Sequence, residues 1–408
     1  MAPETVSPLT MLVVYSITIF LSAGLLFLVQ PMIAKLLLPQ LGGSPSVWNT
    51  SMVFFQAVLL AGYAYAHGIS RWFSVTRACL LHTVVLLVPI ISLPIVLPEW
   101  QPPTEASPIP WLIGALAVTV GLPFFVLSST GPLIQRWFAT TSHPSASDPY
   151  FLYAASNTGS LLALLAYPFL LEPLLPASVQ TIAWSAGYGL FLLGMMVAAV
   201  FLFLHRRPAD VQTPSSASTG QTVTTRDRAL WVLLAFVPSS LMLGVTNYLS
   251  TDIAAVPMLW VIPLAIYLLT FILAFAKRQF VPLRSASKIF PIIAMALVAT
   301  FLFGVLHRIT LLIPLHLMGL FFGAMVCHSR LAALRPEPSH LTEFYLLISL
   351  GGVCGGVFNA IVSPLVFNVV LEYPIAIALA CLLRPATIKA VASNKHLARL
   401  LDLALPVS

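Results

Sequence analysis

Charged residues are scarce in this chain, and their scarcity excludes the ordinary water-soluble classes of protein. Only 8% of the 408 residues are Asp, Glu, Lys or Arg, whereas 59% are hydrophobic. A typical soluble domain carries about 25% charged residues. The mean hydropathy of +0.98 points the same way. The composition therefore predicts an integral membrane protein.

Cysteine is also rare, and the patterns that bind metals or form disulfide frameworks are missing. The four cysteines form no CxxC pair, and the nine histidines form no HExxH motif. Zinc sites and disulfide frameworks need paired spacings of this kind. We therefore predict no metal site, cofactor or catalytic residue, and an enzyme is the least favoured function class.

Long apolar runs take up nearly the whole chain. A bilayer requires about 20 apolar residues per helix, and backbone groups in lipid must be satisfied within the segment, so each run is predicted to be helical. We predict an all-α polytopic membrane protein with about twelve transmembrane helices, the first of them broken at Pro31. They span roughly 11–38, 47–67, 77–97, 111–134, 150–171, 179–204, 229–250, 256–276, 288–306, 310–328, 341–367 and 370–384.

The basic residues indicate topology rather than nucleic-acid binding. Under this helix count, all but two of the 19 Lys and Arg residues lie on one side of the membrane, the exceptions being Lys35 and Arg308. The opposite side carries the acidic residues Glu99, Glu105, Glu172, Asp252 and Glu372. Loops rich in Lys and Arg stay in the cytoplasm. Both termini are therefore predicted to be cytoplasmic.

A polar segment divides the chain into two halves of similar length. Residues 205–228 are rich in Ser, Thr and Pro, which is the composition of a linker. We predict an N-terminal six-helix half over 1–204, a cytoplasmic linker over 205–228 and a C-terminal six-helix half over 229–385. Residues 386–408 would form a cytoplasmic tail, with truncation there as an open alternative.

The two halves resemble each other in sequence. "GGSPSVW" (42–48) aligns with "AAVPMLW" (254–260), and "FLYAASNTGS" (151–160) aligns with "FYLLISLGGV" (344–353). The second alignment places Gly159 on Gly352, and it brings Pro168 near Pro364 and Glu172 near Glu372. Such a parallel 6+6 repeat is the plan of major facilitator transporters.

Four glycines within six residues interrupt the apolar stretch "LISLGGVCGGVFNAIVSPLVF" (347–367). A phosphate-binding loop would need a strand before it and a solvated turn, but both flanks are predicted membrane helix. GxxxG spacings instead permit close helix packing. We therefore predict a packed helix face formed by Gly351, Gly352, Gly355 and Gly356.

Several long motifs resemble the membrane region of the bacterial fused major-facilitator/spermidine-synthase-like proteins. They include "FLSAGLLFLVQPMIAKLLLPQLGGSPSVWNTSMVFFQAVLLAGYAYAH" (20–67), "SSTGPLIQRWFA" (128–139), "DPYFLYAASNTGSLLALLAYP" (148–168) and "YLSTDIAAVPMLWVIPLAIYLLTFILAF" (248–275). The resemblance covers about residues 10–385 and implies a bacterial inner-membrane location. The chain stops at "LARLLDLALPVS", without the aminopropyltransferase-like domain that usually follows, and it has "HSRL" where the family has "HGEL".

Polar residues within the predicted helices are candidates for lining a solute pathway. Polar groups at membrane depth usually face the interior of a helix bundle or a water-filled cavity. Asn49 and Gln56 share one face of the second helix, and the fifth and seventh helices add Asn157 and Asn247. The alternative is that these side chains only bond to neighbouring helices.

Charged residues near the ends of the predicted helices are predicted to gate the pathway. Lys35 and Asp252 lie in the outer parts of helices one and seven, and we predict an ion pair between them. Glu343 begins helix eleven, where it either complements the helix dipole or pairs with Arg136 or Arg330 at the inner side. Lys35 alternatively extends to the outer headgroups.

Two functions fit these observations. The first is a transporter-like protein that moves a small solute, cationic or polyamine-like, by alternating access between the two halves. The second is a membrane module without transport activity that scaffolds or feeds a spermidine-synthase-like partner enzyme. The lipid bilayer is the expected partner in both cases.

Overall fold

We analysed a computed structural model of the chain. It describes residues 7–41, 45–103, 108–206, 223–249, 260–276, 280–303, 309–367 and 371–385, apart from the side chains of Pro45, Ser46, Trp48, Asn49 and Phe303. These ranges form helices and contain no β-strand. Ten helical stretches are long and apolar enough to cross a membrane, and two shorter apolar helices accompany them. The predicted all-α fold with about twelve spans is confirmed.

The helices of the first half and of the second half follow one another in chain order. The first half contains α1 (Pro8–Leu41), α2 (Pro45–Trp72), α3 (Val75–Leu87), α4 (Ile109–Leu116), α5 (Leu122–Ala139), α6 (Phe151–Ala166), α7 (Glu172–Leu174) and α8 (Ala177–His205). The second half contains α9 (Thr225–Tyr248), α10 (Val261–Phe275), α11 (Leu283–Phe303), α12 (Ile309–Ala333), α13 (Leu341–Val357), α14 (Ser363–Val366) and α15 (Glu372–Leu382).

Contacts between residues divide the chain into two compact units. The first unit comprises Met1–Thr224 together with Pro336–Ser349, and the second comprises Thr225–Arg335 together with Leu350–Ser408. The main division falls inside the predicted linker 205–228. The segment Pro336–Ser349, which holds the first half of α13, groups with the first unit although it belongs to the C-terminal half by sequence.

The first unit is organised around α1, which packs against α5, α6 and α8. Three buried aromatic side chains fix α1 and α8 through hydrogen bonds to backbone oxygens. Tyr15 donates to Ala198 O at 2.9 Å, and the indole of Trp184 donates to Leu25 O at 2.8 Å. Tyr188 donates from α8 to Leu86 O of α3 at 2.9 Å. Each bond satisfies a polar atom that lipid could not satisfy.

The second unit is organised around α9 and α12, which pack against each other. α9 also contacts α15, and α12 also contacts α10 and α11. The buried Trp231 near the start of α9 donates its indole N–H to Leu334 O at 3.1 Å. At the other end of α9, the Tyr373 side chain packs directly against Gly244.

In the described ranges, three spans are interrupted by complete π-helical turns. They cover Ala117–Gly121 between α4 and α5, Tyr167–Leu171 between α6 and α7, and Phe358–Val362 between α13 and α14. The last two occur in the fifth and eleventh spans, the pair that the sequence repeat aligns. Such π-turns are frequent at functional sites.

The predicted break at Pro31 is wrong. α1 runs without interruption from Pro8 to Leu41, through both Pro31 and Pro39. Membrane helices tolerate proline because neighbouring groups and small helical adjustments satisfy the freed backbone atoms. Pro31 is buried in the packed side of α1.

An apolar face of α8 points outward from the first unit. Its members are more than half exposed, and their spacing places them on one side of the helix: Ile182, Leu190, Leu193, Val200 and Leu204. A continuous apolar helix face of this length is what contact with lipid requires. The exposure therefore fits a spanning helix.

Candidate functional site

A docked segment, defined as Pro336–Ser349, forms the candidate site in the first unit. It contains a short turn at Pro338–His340 and the first half of α13. Three hydrogen bonds attach it to parts of the first unit that lie far away in sequence. They reach α2, α5 and Tyr150, which immediately precedes α6.

The central bond joins Tyr345 to Gln135 of α5. The Tyr345 hydroxyl donates to Gln135 Oε1 at 2.8 Å, and both side chains are buried. Gln135 Nε2 donates to Gly131 O at 3.1 Å. Because a carbonyl can only accept, this second bond fixes the orientation of the amide. Gln135 Oε1 must therefore accept, and Tyr345 must donate.

Two further bonds hold the ends of the docked segment. The Tyr150 hydroxyl donates to Pro336 O at 2.7 Å. His67 Nδ1 of α2 lies 3.1 Å from Thr342 Oγ1 in the first turn of α13. The two bonds pin the start of the segment and the start of the helix to different elements of the first unit.

Aromatic rings pack against the Tyr345 ring. The Tyr345 ring centroid lies 4.9 Å from that of Tyr153 and 6.1 Å from that of Tyr150. The Phe344 ring meets Tyr150 edge to face at 5.9 Å. Such offset and edge contacts are favourable between aromatic rings. The segment is thus held by ring packing as well as by hydrogen bonds.

The predicted gating residues Glu343 and Arg136 both lie in the first unit. Glu343 Oε2 is 3.1 Å from the ring Nδ1 of His340, one turn earlier. The Arg136 guanidinium donates to Ser70 O at the end of α2. Arg330, the other predicted partner, lies in the second unit and donates to Leu383 O. The inner-gate pairing stays a prediction.

The predicted pathway residues are dispersed rather than gathered at one point. Asn157 is buried and donates to Tyr153 O at 2.8 Å within its own helix. Gln56 lies half-buried on α2, and Asn247 is exposed on α9 in the second unit. Asn49 lies on α2, but its side chain is outside the described part.

Lys35 lies beside a glutamate of its own unit. Its Nζ is 3.9 Å from Glu172 Oε1 and donates to Glu172 O at 3.3 Å. Asp252, the partner predicted from sequence, falls outside the described residues. The structure therefore supplies a partner for Lys35 that the sequence analysis did not consider.

The glycine face of α13 packs against α9 at two of its four positions. A Cβ atom on Gly351 would overlap Val232 O, and one on Gly355 would lie 2.7 Å from Phe236 O. Gly356 is buried. The close packing predicted for Gly352 is corrected, because a Cβ there would meet no atom of the described residues within 4 Å. Gly352 contributes its carbonyl instead, which accepts from Ser239 Oγ at 2.9 Å.

The same contact occurs in the first unit and adjusts the register of the repeat. A Cβ on Gly159 would overlap Phe20 O of α1, as one on Gly355 would crowd Phe236 O of α9. Gly351 makes the same contact with Val232 O. The geometry thus matches Gly159 with Gly351 or Gly355, which lie about one helical turn apart on the face that contacts α9, rather than with Gly352. The Gly355 register places Pro168 directly on Pro364.

The arrangement of the helices is similar to that of several solved transporter structures. The proton:xylose symporter XylE, bound to 6-bromo-6-deoxy-D-glucose, aligns with a TM-score of 0.56 at 13% identity, over 92% of this chain and 95% of that chain. XylE from E. coli in its inward-open conformation aligns with a TM-score of 0.56 at 12% identity, over 97% and 100%. The E. coli fucose:proton symporter FucP aligns with a TM-score of 0.50 at 14% identity, over 90% and 96%.

The chain has the major facilitator fold. At these identities the likeness concerns the fold alone. The sequence matches no protein-family model and none of the curated proteins compared with it. The resemblance to the fused spermidine-synthase-like proteins accordingly rests on the sequence motifs and stays a prediction.

The sequence analysis missed Gln135, Tyr345 and Tyr150, although two signals pointed to them. Gln135 is a lone amide in the apolar stretch "GPLIQRWF", and Tyr345 follows the gating candidate Glu343 in "EFYLL". Neither signal reveals a pairing, since 210 residues separate the two side chains. Only the folded first unit brings them together.

Proposed function

We propose that this protein transports a small solute across a bacterial inner membrane by alternating access, with both termini in the cytoplasm. The observation that carries the proposal is the major facilitator fold over more than nine-tenths of the chain. The neighbours of this fold are named as a proton:xylose symporter and a fucose:proton symporter. Xylose and fucose are the solutes of those proteins. We extend only alternating access to this chain.

The docked segment supports this mode of action. Three hydrogen bonds and a set of ring contacts join it to the first unit, while the rest of α13, from Leu350, belongs to the second unit. A helix shared between two units in this way must change its contacts when the units move. We infer that the docked segment leaves the first unit at one stage of the transport cycle.

We propose a small organic cation, such as a polyamine, as the solute. The acidic residues of the outer loops would concentrate cations at the membrane surface. The Tyr153 and Tyr345 rings pack against each other in the docked arrangement, and they would offer faces that attract an organic ammonium group once the segment leaves. A partner enzyme of the spermidine-synthase type would be consistent with this class of solute, and it rests on the sequence resemblance.

Uptake into proteoliposomes tests the proposal. Purified protein is reconstituted, and the vesicles are given labelled putrescine or spermidine, with labelled glucose as the neutral comparison. We expect saturable accumulation of the polyamine above the level of protein-free vesicles. Gln135→Leu should slow uptake because it removes the Tyr345 bond, whereas the lipid-facing control Leu190→Ala should not.

The result also separates the two functions. Accumulation no greater than in empty vesicles for every solute would contradict transport and leave the non-transporting module. Saturable uptake of glucose alone would keep transport and reject the cationic solute.

A further inference from the structure

Glu372 of the second unit has an unusual environment for a carboxylate. It is the only buried acidic side chain among the described residues, with 7% exposure. Ser363 Oγ donates to its Oε2 at 2.6 Å. The described residues place no basic side chain against it. Burying a charge without a partner is costly, so such a carboxylate either takes up a proton or binds a cation.

The first unit contains a similar glutamate that does have a basic partner. The repeat brings Glu172 near Glu372, and Glu172 directly follows the π-turn Tyr167–Leu171. In the first unit, Lys35 supplies a cation, with Nζ 3.9 Å from the Glu172 carboxylate. In the described part of the second unit, Glu372 has the Ser363 hydroxyl beside it instead of a lysine.

Asn359 adds an unpartnered acceptor one turn before Ser363. It is 3% exposed and lies on the π-turn Phe358–Val362. Its Nδ2 donates to Ser240 Oγ at 2.8 Å and to Gly355 O at 2.9 Å. Because the Gly355 carbonyl can only accept, the amide cannot be reversed. Its Oδ1 is therefore turned away from both partners. This oxygen has no hydrogen-bond partner among the described residues.

We propose that Glu372, Ser363 and Asn359 bind a monovalent cation of the sodium type. All three contribute oxygen atoms, which suit hard cations, whereas transition metals favour nitrogen and sulfur. Calcium sites gather several carboxylates, but here a single carboxylate balances a single positive charge. The cation would neutralise Glu372, as Lys35 neutralises Glu172 in the first unit. The proposal goes beyond solute transport and does not depend on it.

Thermal unfolding tests the proposal without any transport assay. The purified full chain in detergent is melted in increasing NaCl, with choline chloride holding the ionic strength constant. A ligand that binds only the folded protein raises Tm in a saturable way. We expect such a rise with sodium, and no rise when choline replaces it.

Three variants assign the effect to the site. Glu372→Gln keeps the side-chain shape and removes the charge, so the sodium-dependent rise should disappear. Ser363→Ala should increase the half-saturating sodium concentration severalfold. The matched control is Glu172→Gln, which should keep the full sodium response because Lys35 already occupies that position.

Several results would overturn the proposal. One is an equal response to sodium and choline, and another is an unchanged sodium response in Glu372→Gln. A third has two parts: the Tm of the wild-type protein does not respond to sodium, and Arg308→Gln lowers Tm as much as Glu372→Gln does. That result would make Arg308 the neutralising charge. If Glu372→Gln does not fold, the Ser363→Ala variant serves as the test. A half-saturating sodium concentration equal to that of the wild type would then reject the site.

Discussion

At the scale of single residues, the Tyr345 hydroxyl makes the most specific contact in the first unit. Its acceptor, Gln135 Oε1, is held in place by the bond from Gln135 Nε2 to Gly131 O. Tyr345→Phe would leave that oxygen buried without a donor. We expect a loss of about 1–3 kcal/mol in the free energy of unfolding, measured by thermal and denaturant unfolding in detergent.

A double-mutant cycle with Gln135→Leu supplies the control. The second change removes the unsatisfied oxygen, so the double variant should lose less than the two single losses combined. Interhelical hydrogen bonds in membranes couple by about 0.6 kcal/mol on average. Strictly additive losses would mean that the two side chains do not act together.

Lys35 provides a second test at this scale, because sequence and structure favour different partners. We expect Lys35→Gln to couple with Glu172→Gln by about 0.2–1 kcal/mol, as partly exposed ion pairs do. The same cycle with Asp252→Asn examines the pair predicted from sequence. Coupling to Asp252 and none to Glu172 would show that the contact in the structure is not the one that stabilises the protein.

At the scale of elements, the two glycine contacts with α1 and α9 set how closely the helices approach. Gly355→Ala and Gly159→Ala should each destabilise the protein, because the added Cβ meets a backbone oxygen that cannot move aside. Overpacking of this kind costs about 1–3 kcal/mol. Gly352→Ala is the matched control on the same helix, and it should melt like the parent. Equal Tm values for Gly352→Ala and Gly355→Ala would refute the contact.

Sequence patterns predicted the number and type of the elements but not their contacts. Apolar length is a local property, so the spans were found, and the GxxxG spacing located Gly355 on a packed face. Which glycine meets a neighbour depends on the rotation of α13 against α9, and the sequence assigned Gly352 wrongly. The break predicted at Pro31 is wrong because sequence patterns do not show how neighbouring helices satisfy the backbone atoms that a proline frees. The partner of Lys35 and the Tyr345 bond depend on long-range packing, which local patterns do not contain.

At the scale of the whole molecule, topology is the first prediction. Single cysteines at Ser215 in the linker and at Glu105 in an outer loop should react with membrane-impermeant reagents from opposite sides. The background needs Cys354→Ala, since Cys354 is exposed. Labelling of both positions from one side would contradict the count of twelve helices, which places three spans between them.

Release of the docked segment is the central claim, and a distance measurement tests it most directly. Spin labels at Arg71 on α2 and at Ser339 in the docked segment, both exposed, report their separation by pulsed electron resonance in reconstituted protein. The account predicts two distance populations, a short one for the docked arrangement and a longer one for the released segment. It also predicts that the transported solute changes their ratio. A single short distance, unaltered by every solute that the vesicles accumulate, would contradict alternating access at this segment.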